Sequence, residues 1–419
     1  MKNPDNPFAP HRPNDAETES NIRLKSFEGV SAEILNWIEN QNRHPGECIQ
    51  LSPVDATVLD SGDPLTAPTL SGHRETGTER PEKSCSDLTK ITVLTVNVNA
   101  FGGTRQDRDY RSKENLLKNE QVFLDFLQSE VGQRQTLICL QDVPIYRLRV
   151  LGRHFHENGF AYYANVVGIN GDEPGHIASL VTLLNTRALE GYTVPSPEFF
   201  MTKHYQNMRR RRDGKGYESG NPQHEATDWD INYGPTHKNE ALRHAFGTFH
   251  ARITVQGTDG ERVITVGNIY MSPPSLQVER AKNIRASLTH LKELSEPDGI
   301  AILAGDCNSY GVDTTHRKIL GMPVHPPVTA AGAILRTDIH ENKHLEKIAK
   351  QAGFTPSDVS HTPTLRAAGG LVGMKLDHIF VFVPSENLPS ENLPPGNLTA
   401  GVVPVSFTDH DAVGVEVCL

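Results

Sequence analysis

Only five of the 419 residues are cysteine, and Cys48, Cys85, Cys139, Cys307 and Cys418 lie far apart along the chain. An odd, dispersed set leaves at least one thiol unpaired and has no close Cys/His spacing, which argues against a disulfide framework and against structural zinc. A reducing compartment is expected. Long apolar runs are equally missing. None approaches the ~20 residues that span a bilayer, so no transmembrane segment is expected. The opening stretch, MKNPDNPFAPHRPNDAETES, has no apolar core of the kind found in a secretory leader. A cytoplasmic or nucleus-accessible location is the expectation, and leaderless export is compatible with the same sequence. Excess positive charge is also absent. The net charge of −10 argues against a broadly basic protein that coats nucleic acid.

The negative charge is concentrated at one end. Residues 1–87 hold eight Lys and Arg against fifteen Asp and Glu, a net −7 that leaves −3 for the other 332 residues. With nine prolines and few apolar clusters, this acidic extension reads as mostly disordered or loosely packed. Within it, Ile34, Leu35, Trp37 and Ile38 share one face of a short helical pattern that suits packing on the main domain or a protein partner.

The texture changes in residues 88–419. ITVLTVNVNAF, TLICLQD, ASLVTLLNT, RHAFGTFHARITV, RVITVGNIYM, GIAILAGD, LDHIFVFV and AVGVEVCL read as strands. SKENLLKNEQVFLDFLQSE and SLQVERAKNIRASLTHLKEL have helical spacing. Strands that alternate with only a few helices predict sheets covered by helices, an α/β sandwich. Residues 188–242 resist this scheme and read as a long insertion, functional or disordered.

The strand ends carry the chemistry. ILAGDCN is an apolar run that stops at glycine and then presents Asp306 and Asn308. Residues i and i+2 of an extended segment point the same way, so these two project together and Cys307 turns back into the core. Other strands also finish on short polar residues: Asn97 and Asn99, Gln141 and Asp142, Asn268 and Tyr270, Asp377, and Asp409 with His410. Six such ends offer hard oxygens, amides, a phenol and an imidazole. Hard oxygens suit Mg²⁺ or Mn²⁺, which bind phosphate oxygens alongside one or two carboxylates.

LTVNVNAFGG, LICLQDV, GNIYMSPP, ILAGDCNSYG, MKLDHIFV and SFTDHDAVGVEV stand in the order seen in the endonuclease/exonuclease/phosphatase superfamily, which the chain resembles over about residues 90–419. That superfamily includes exonuclease III-like AP endonucleases, deoxyribonucleases, inositol polyphosphate 5-phosphatases and bacterial sphingomyelinases. The resemblance implies a four-layer α/β sandwich, two packed mixed β-sheets flanked by helices. It also implies a Mg²⁺- or Mn²⁺-dependent hydrolase that attacks a phosphate ester in line with an activated water. In that reading Asp142 takes the place of the metal-binding glutamate, with Asn97 beside it and Asn99 and Asp409 nearby. Asp306 orients or deprotonates the water, and Asn308 donates to the phosphoryl oxygen. His410 contacts the scissile phosphate, Asp377 fixes its far ring nitrogen, and Tyr270 donates to phosphate.

Three positions depart from the family pattern. Asp142 is one methylene shorter than glutamate. Asn99 stands where AP-endonuclease-like members often have aspartate. Tyr270 replaces a common histidine, and its setting in NIYMSPP resembles the exonuclease III and retrotransposon branch. Asn268 and the insertion's run Arg209, Arg210, Arg211 and Arg212 are candidate substrate contacts, because Arg binds phosphate bidentately. A solvated loop or a nuclear-localisation patch are the other readings of the run. The expectation is a monomeric phosphodiesterase acting on nucleic acid. A phosphatase or phospholipase acting on phosphoinositide or sphingolipid head groups is the alternative, and a binding module with little catalysis is a third.

Overall fold

A computed structural model describes residues 46–51, 90–102, 112–144, 147–169, 177–204, 208–210, 217–219, 247–257, 260–271, 277–295, 299–309, 318–319, 322–323, 338–357, 359, 362–367, 372–384 and 398–418. The strands of the first half are β1 (Cys48–Leu51), β2 (Lys90–Asn97), β3 (Leu137–Pro144), β4 (Phe160–Ile169), β5 (Ile177–Asn185), β6 (Glu198–Lys203), β7 (Met208–Arg210) and β8 (Tyr217–Ser219). Then come β9 (Gly247–Gly257), β10 (Gly260–Tyr270), β11 (Ile300–Asp306), β12 (Lys318–Ile319), β13 (Met322–Pro323), β14 (Thr355–Pro356), β15 (Leu365–Ala367), β16 (Val372–Met374), β17 (Asp377–Phe382), β18 (Leu398–Val403) and β19 (Ala412–Cys418). The described α-helices are α1 (Lys113–Gln128), α2 (Glu130–Gln133), α3 (Leu148–Glu157), α4 (Gln277–Leu294) and α5 (Asp338–Gln351), with a short 3-10 turn at Asn99–Phe101. Among the described residues no helix is long and apolar enough to cross a membrane.

Two mixed sheets dominate. One runs β1-β6-β9-β10-β11-β17-β14, the other β18-β19-β2-β3-β5-β4. Each contains one parallel pair, β10 with β11 and β2 with β3, and the remaining pairs are antiparallel. Period-two alternation builds the layers. Ile91 and Val93 of β2 join Ile300, Ile302 and Ala304 of β11 in the core between the sheets. Leu94 and Val96 face the other way, against Phe123 and Leu127 of α1 and Leu151 and Phe155 of α3. On the far side, Ala301, Leu303 and Cys307 pack beneath Ile284 and Leu288 of α4 and Leu345 of α5. The result is helix, sheet, sheet, helix: the expected four-layer sandwich.

Some elements did not stand out in the sequence. Helix α3 contains Gly152, a poor helix former, yet the ring of Tyr162 would lie about 2.6 Å from a Cβ placed there. The Tyr162 side chain of β4 thus occupies the space beside the glycine. Strand β6 falls inside the 188–242 insertion, where it pairs with β9 and with β1. Strand β1 belongs to the 1–87 extension, so that extension contributes an edge strand to the larger sheet. The helical pattern at 31–40 lies outside the described residues, as does most of the insertion.

Candidate active site

Continuing the alternation past the apolar part of each strand delivers polar side chains to the inner faces. Odd positions of β2 and β3 point inward, as do even positions of β10 and β11. Asn97, Gln141, Asn268, Tyr270 and Asp306 therefore stand on facing surfaces at the same end of the sandwich. Asp377 is the direct cross-strand partner of Asp306, and β11 pairs with β10 so that Tyr270 opposes Asp306. In β3 the register shifts between Leu140 and Val143, and Asp142 has φ 57°. Such a bulge re-aims a side chain. Val143 resumes on the helix side.

The backbone is strained here. Asn99, Ala100, Phe101, Asp142 and Asn308 are the non-glycine residues with positive φ among the described residues, at 45–62°. All five sit on the ends of β2, β3 and β11, where strain on the order of 1–3 kcal/mol per residue marks functional sites. Gly305 is obligatory. Its φ is +150°, and a Cβ would come within 2.0 Å of the Ile269 carbonyl oxygen.

A nearly dry hydrogen-bond network joins the ends. Asn97 donates through Nδ2 to Asp306 Oδ2 at 2.8 Å, across the two sheets, while its Oδ1 accepts from the Asn99 backbone N–H at 2.8 Å. The Asn308 backbone N–H donates to Asp306 Oδ1 at 2.7 Å. Asn308 Nδ2 donates to the Met271 carbonyl at 2.6 Å and more weakly to Asp306 Oδ2 at 3.3 Å. Asn99 Nδ2 donates to Asp409 Oδ1 at 2.9 Å. His410 Nδ1 lies 2.9 Å from Asp377 Oδ2. The Thr408 hydroxyl donates to the Asn97 carbonyl at 2.9 Å, tying the His410 loop to β2. Ligand atoms of Asp306, Asp377 and His410 lie within 4.8 Å of one another, and all three residues are buried. Asp142 and Asp409, also buried, are not members of that tight group.

Burial and then the adjacent Asp377 carboxylate push the Asp306 carboxyl up from 3.8 to about 7, against the opposing pull of His410, Asn97 and the Asn308 N–H. Burial draws His410 down, but the charge and hydrogen bond of Asp377, backed by Asp306 and Asp409, raise it to about 10. The surrounding carboxylates thus favour the charged form of the imidazole, and burial favours the neutral form of Asp306. Asp377 Oδ1 is buried without a hydrogen-bond partner. Three carboxylates, those of Asp306, Asp377 and Asp409, act on the one imidazole of His410. This surplus of hard-oxygen charge fits a hard divalent cation.

The remaining candidates have other surroundings. Asn268 is completely buried and donates to the Leu140 and Val181 carbonyls at 3.1 and 3.0 Å while accepting from Gln141 Nε2 at 2.8 Å. Its expected substrate contact gives way to fastening one sheet to the other below the site. Tyr270 is 4% exposed and packs in the inter-sheet core. Arg209 and Arg210 belong to the β7–β8 hairpin, opposite Glu218 and Tyr217. Arg211 and Arg212 lie outside the described residues. Sequence reasoning passed over Thr364, whose hydroxyl accepts from the backbone N–H of both Leu376 and Asp377. Nothing in SHTPTLR signals that role.

No protein-family model matches this chain, and no curated protein does. Solved structures similar to it include TDP2 from D. rerio complexed with single strand DNA product, at 12% identity and TM-score 0.41 over 78% of this chain and 98% of that one. The endonuclease/exonuclease/phosphatase from Bacteroides vulgatus is similar at 11% identity and TM-score 0.43, covering 79% and 99%. Truncated Caenorhabditis elegans TDP2 is similar at 10% identity and TM-score 0.42, covering 80% and 100%. These likenesses are loose, and the chemistry that follows rests on this chain's own side chains.

Proposed function

We propose that this chain is a divalent-metal-dependent phosphodiesterase that hydrolyses nucleic-acid phosphodiester bonds. The observation that carries the reading is the buried group of Asp306, Asp377 and His410, within 4.8 Å of one another. It combines a carboxyl raised to about 7 with an imidazole raised to about 10. A carboxyl near neutrality is suited to accept a proton from an attacking water. The imidazolium, anchored through Nδ1, has Nε2 to offer a phosphoryl oxygen and neutralises charge that develops there. Asn97 and Asn308 orient Asp306 from two sides, so its oxygens do not swing.

Asp142 and Asp409 are the carboxylates to hold the metal ion, with Asn99 positioning Asp409. When bound, the ion supplies Lewis-acid stabilisation of phosphate oxygens. Two features favour a polynucleotide substrate: the NIYMSPP setting of Tyr270, which resembles the exonuclease III branch, and the arginine run beginning at Arg209.

The test is incubation of purified protein with Mg²⁺ or Mn²⁺ and plasmid DNA, RNA, abasic duplex and a phosphoinositide panel, with Asp306→Ala as control. Nucleic-acid cleavage that falls by roughly 10²–10⁴ in the variant is expected from loss of a general base. Asp306-dependent phosphate release from head groups moves the protein to the phosphatases. No turnover on any substrate reduces it to a binding module.

A further inference from the structure

The His410–Asp377 pair brings together two segments far apart in sequence: the start of β17 and the loop before β19. Something must hold both to the tolerance that a 2.9 Å contact requires. Thr364 touches both. Its Oγ1 accepts the backbone N–H of Leu376 at 3.0 Å and of Asp377 at 3.1 Å. Its own N–H donates to the Met374 carbonyl at 2.8 Å, and its carbonyl accepts from Asp411 N–H. The next residue, Leu365, forms an isolated antiparallel bridge with His410 itself. Thr364 is completely buried, so water does not compete for these bonds. One side grips the strand that presents the carboxylate, and the other grips the loop that presents the imidazole.

We propose that Thr364 is a positioning residue that sets the relative placement of Asp377 and His410, an inference that rests on the hydrolase reading for its kinetic consequence. The hydroxyl acts as a two-donor acceptor that a methyl group cannot replace. In Thr364→Val, two buried N–H groups lose their partner, and the start of β17 relaxes away from the His410 loop. Serine retains the acceptor and restores the placement. The residue touches neither substrate nor metal, so its loss lowers turnover while leaving substrate affinity in place.

The experiment has two readouts on the full chain. Steady-state kinetics on an oligonucleotide and on bis(p-nitrophenyl) phosphate should show kcat falling about 10- to 100-fold in Thr364→Val, the scale of an ångström-sized misplacement. KM should stay within about twofold, and Thr364→Ser should recover most of the rate. Nuclear magnetic resonance of histidine-labelled protein in chelator reads the pair directly. The low-field Nδ1–H resonance of His410 should persist in wild type and Thr364→Ser and be lost or broadened in Thr364→Val. If valine at this position prevents folding, Thr364→Ala supplies the same comparison. An unchanged resonance, an unchanged kcat in a folded variant, or failure of serine to rescue would overturn the assignment. If wild type hydrolyses no phosphodiester, the hydrolase reading falls, and the resonance comparison alone decides the role of Thr364.

Discussion

Replacing Asp377 by Asn tests the electrostatic heart of the site without requiring a substrate. Asp377 is fully buried and His410 nearly so, and the pair is 2.9 Å apart. His410 is raised from 6.5 to about 10 in the folded chain. At about 1.4 kcal/mol per unit, that preference for the charged form has a ceiling on the order of 5 kcal/mol. Breaking a buried ion pair typically costs about 3–5 kcal/mol, and the amide oxygen of Asn can still accept from Nδ1–H. We expect roughly 3 kcal/mol of destabilisation at pH 6.

The sign with pH follows from the direction of the shift. A group whose pKa is higher in the folded state contributes stability in full below its unfolded value, here 6.5, and loses it as pH rises through about 10. In the variant, burial is opposed only by Asp306 and Asp409, so His410 falls from its wild-type position. The difference between the proteins should thus be greatest near pH 6 and shrink toward pH 10. Asp306 reinforces the trend. Removing the Asp377 charge eases its ionisation, which favours the variant as pH rises. Urea unfolding followed by circular dichroism, in chelator at pH 6, 8 and 10, measures this. A stability difference that is flat or grows with pH would refute the reasoning.

Two further outcomes are expected. Gly305→Ala forces a Cβ to within 2.0 Å of the Ile269 carbonyl at φ +150° and should cost roughly 3 kcal/mol or more, seen as a lowered thermal midpoint or as insoluble protein. Near wild-type stability would mean that β10 and β11 can part at no cost. Asn99→Asp replaces the donor to Asp409 with a like charge and should destabilise the chelated protein by about 1–3 kcal/mol. Mg²⁺ should then raise its melting temperature more than that of wild type. Equal Mg²⁺ responses would remove Asp409 and its neighbour from the metal set.

The order of the polar strand ends, and the direction of those within regular strands, were legible in the chain because alternation is local; Asn99, Asp142 and Asn308, with positive φ, escape that rule. Cys307 lies beneath the helices while Asp306 faces the other sheet, as a period of two requires. That α1 is a helix was readable from local spacing too, but its buried face, with Phe123, Leu124 and Leu127, was decided by the packing. Other features obeyed no local rule. Gly152 disguised α3 because its reason is a tyrosine ring on β4, and β6 was hidden within a polar insertion. Asn268 looked like a site residue because polar strand ends all look alike in sequence. Its hydrogen bonds to Leu140 and Val181 depend on how closely the sheets stack.

The amino-acid sequence by itself determined most of the strands, their alternating faces and the roster of residues at their polar ends, while the pair of packed sheets was implied by a resemblance. Periodicity needs only neighbours within one segment. Tertiary structure alone decided which members of that roster touch. The Asn97–Asp306 bond joins residues 209 apart in the chain, and Asn99–Asp409 joins residues 310 apart. The shift of His410 to about 10, the rise of Asp306 to about 7 and the grip of Thr364 on both halves of the pair follow from burial and proximity. Neither quantity exists until the sheets have packed.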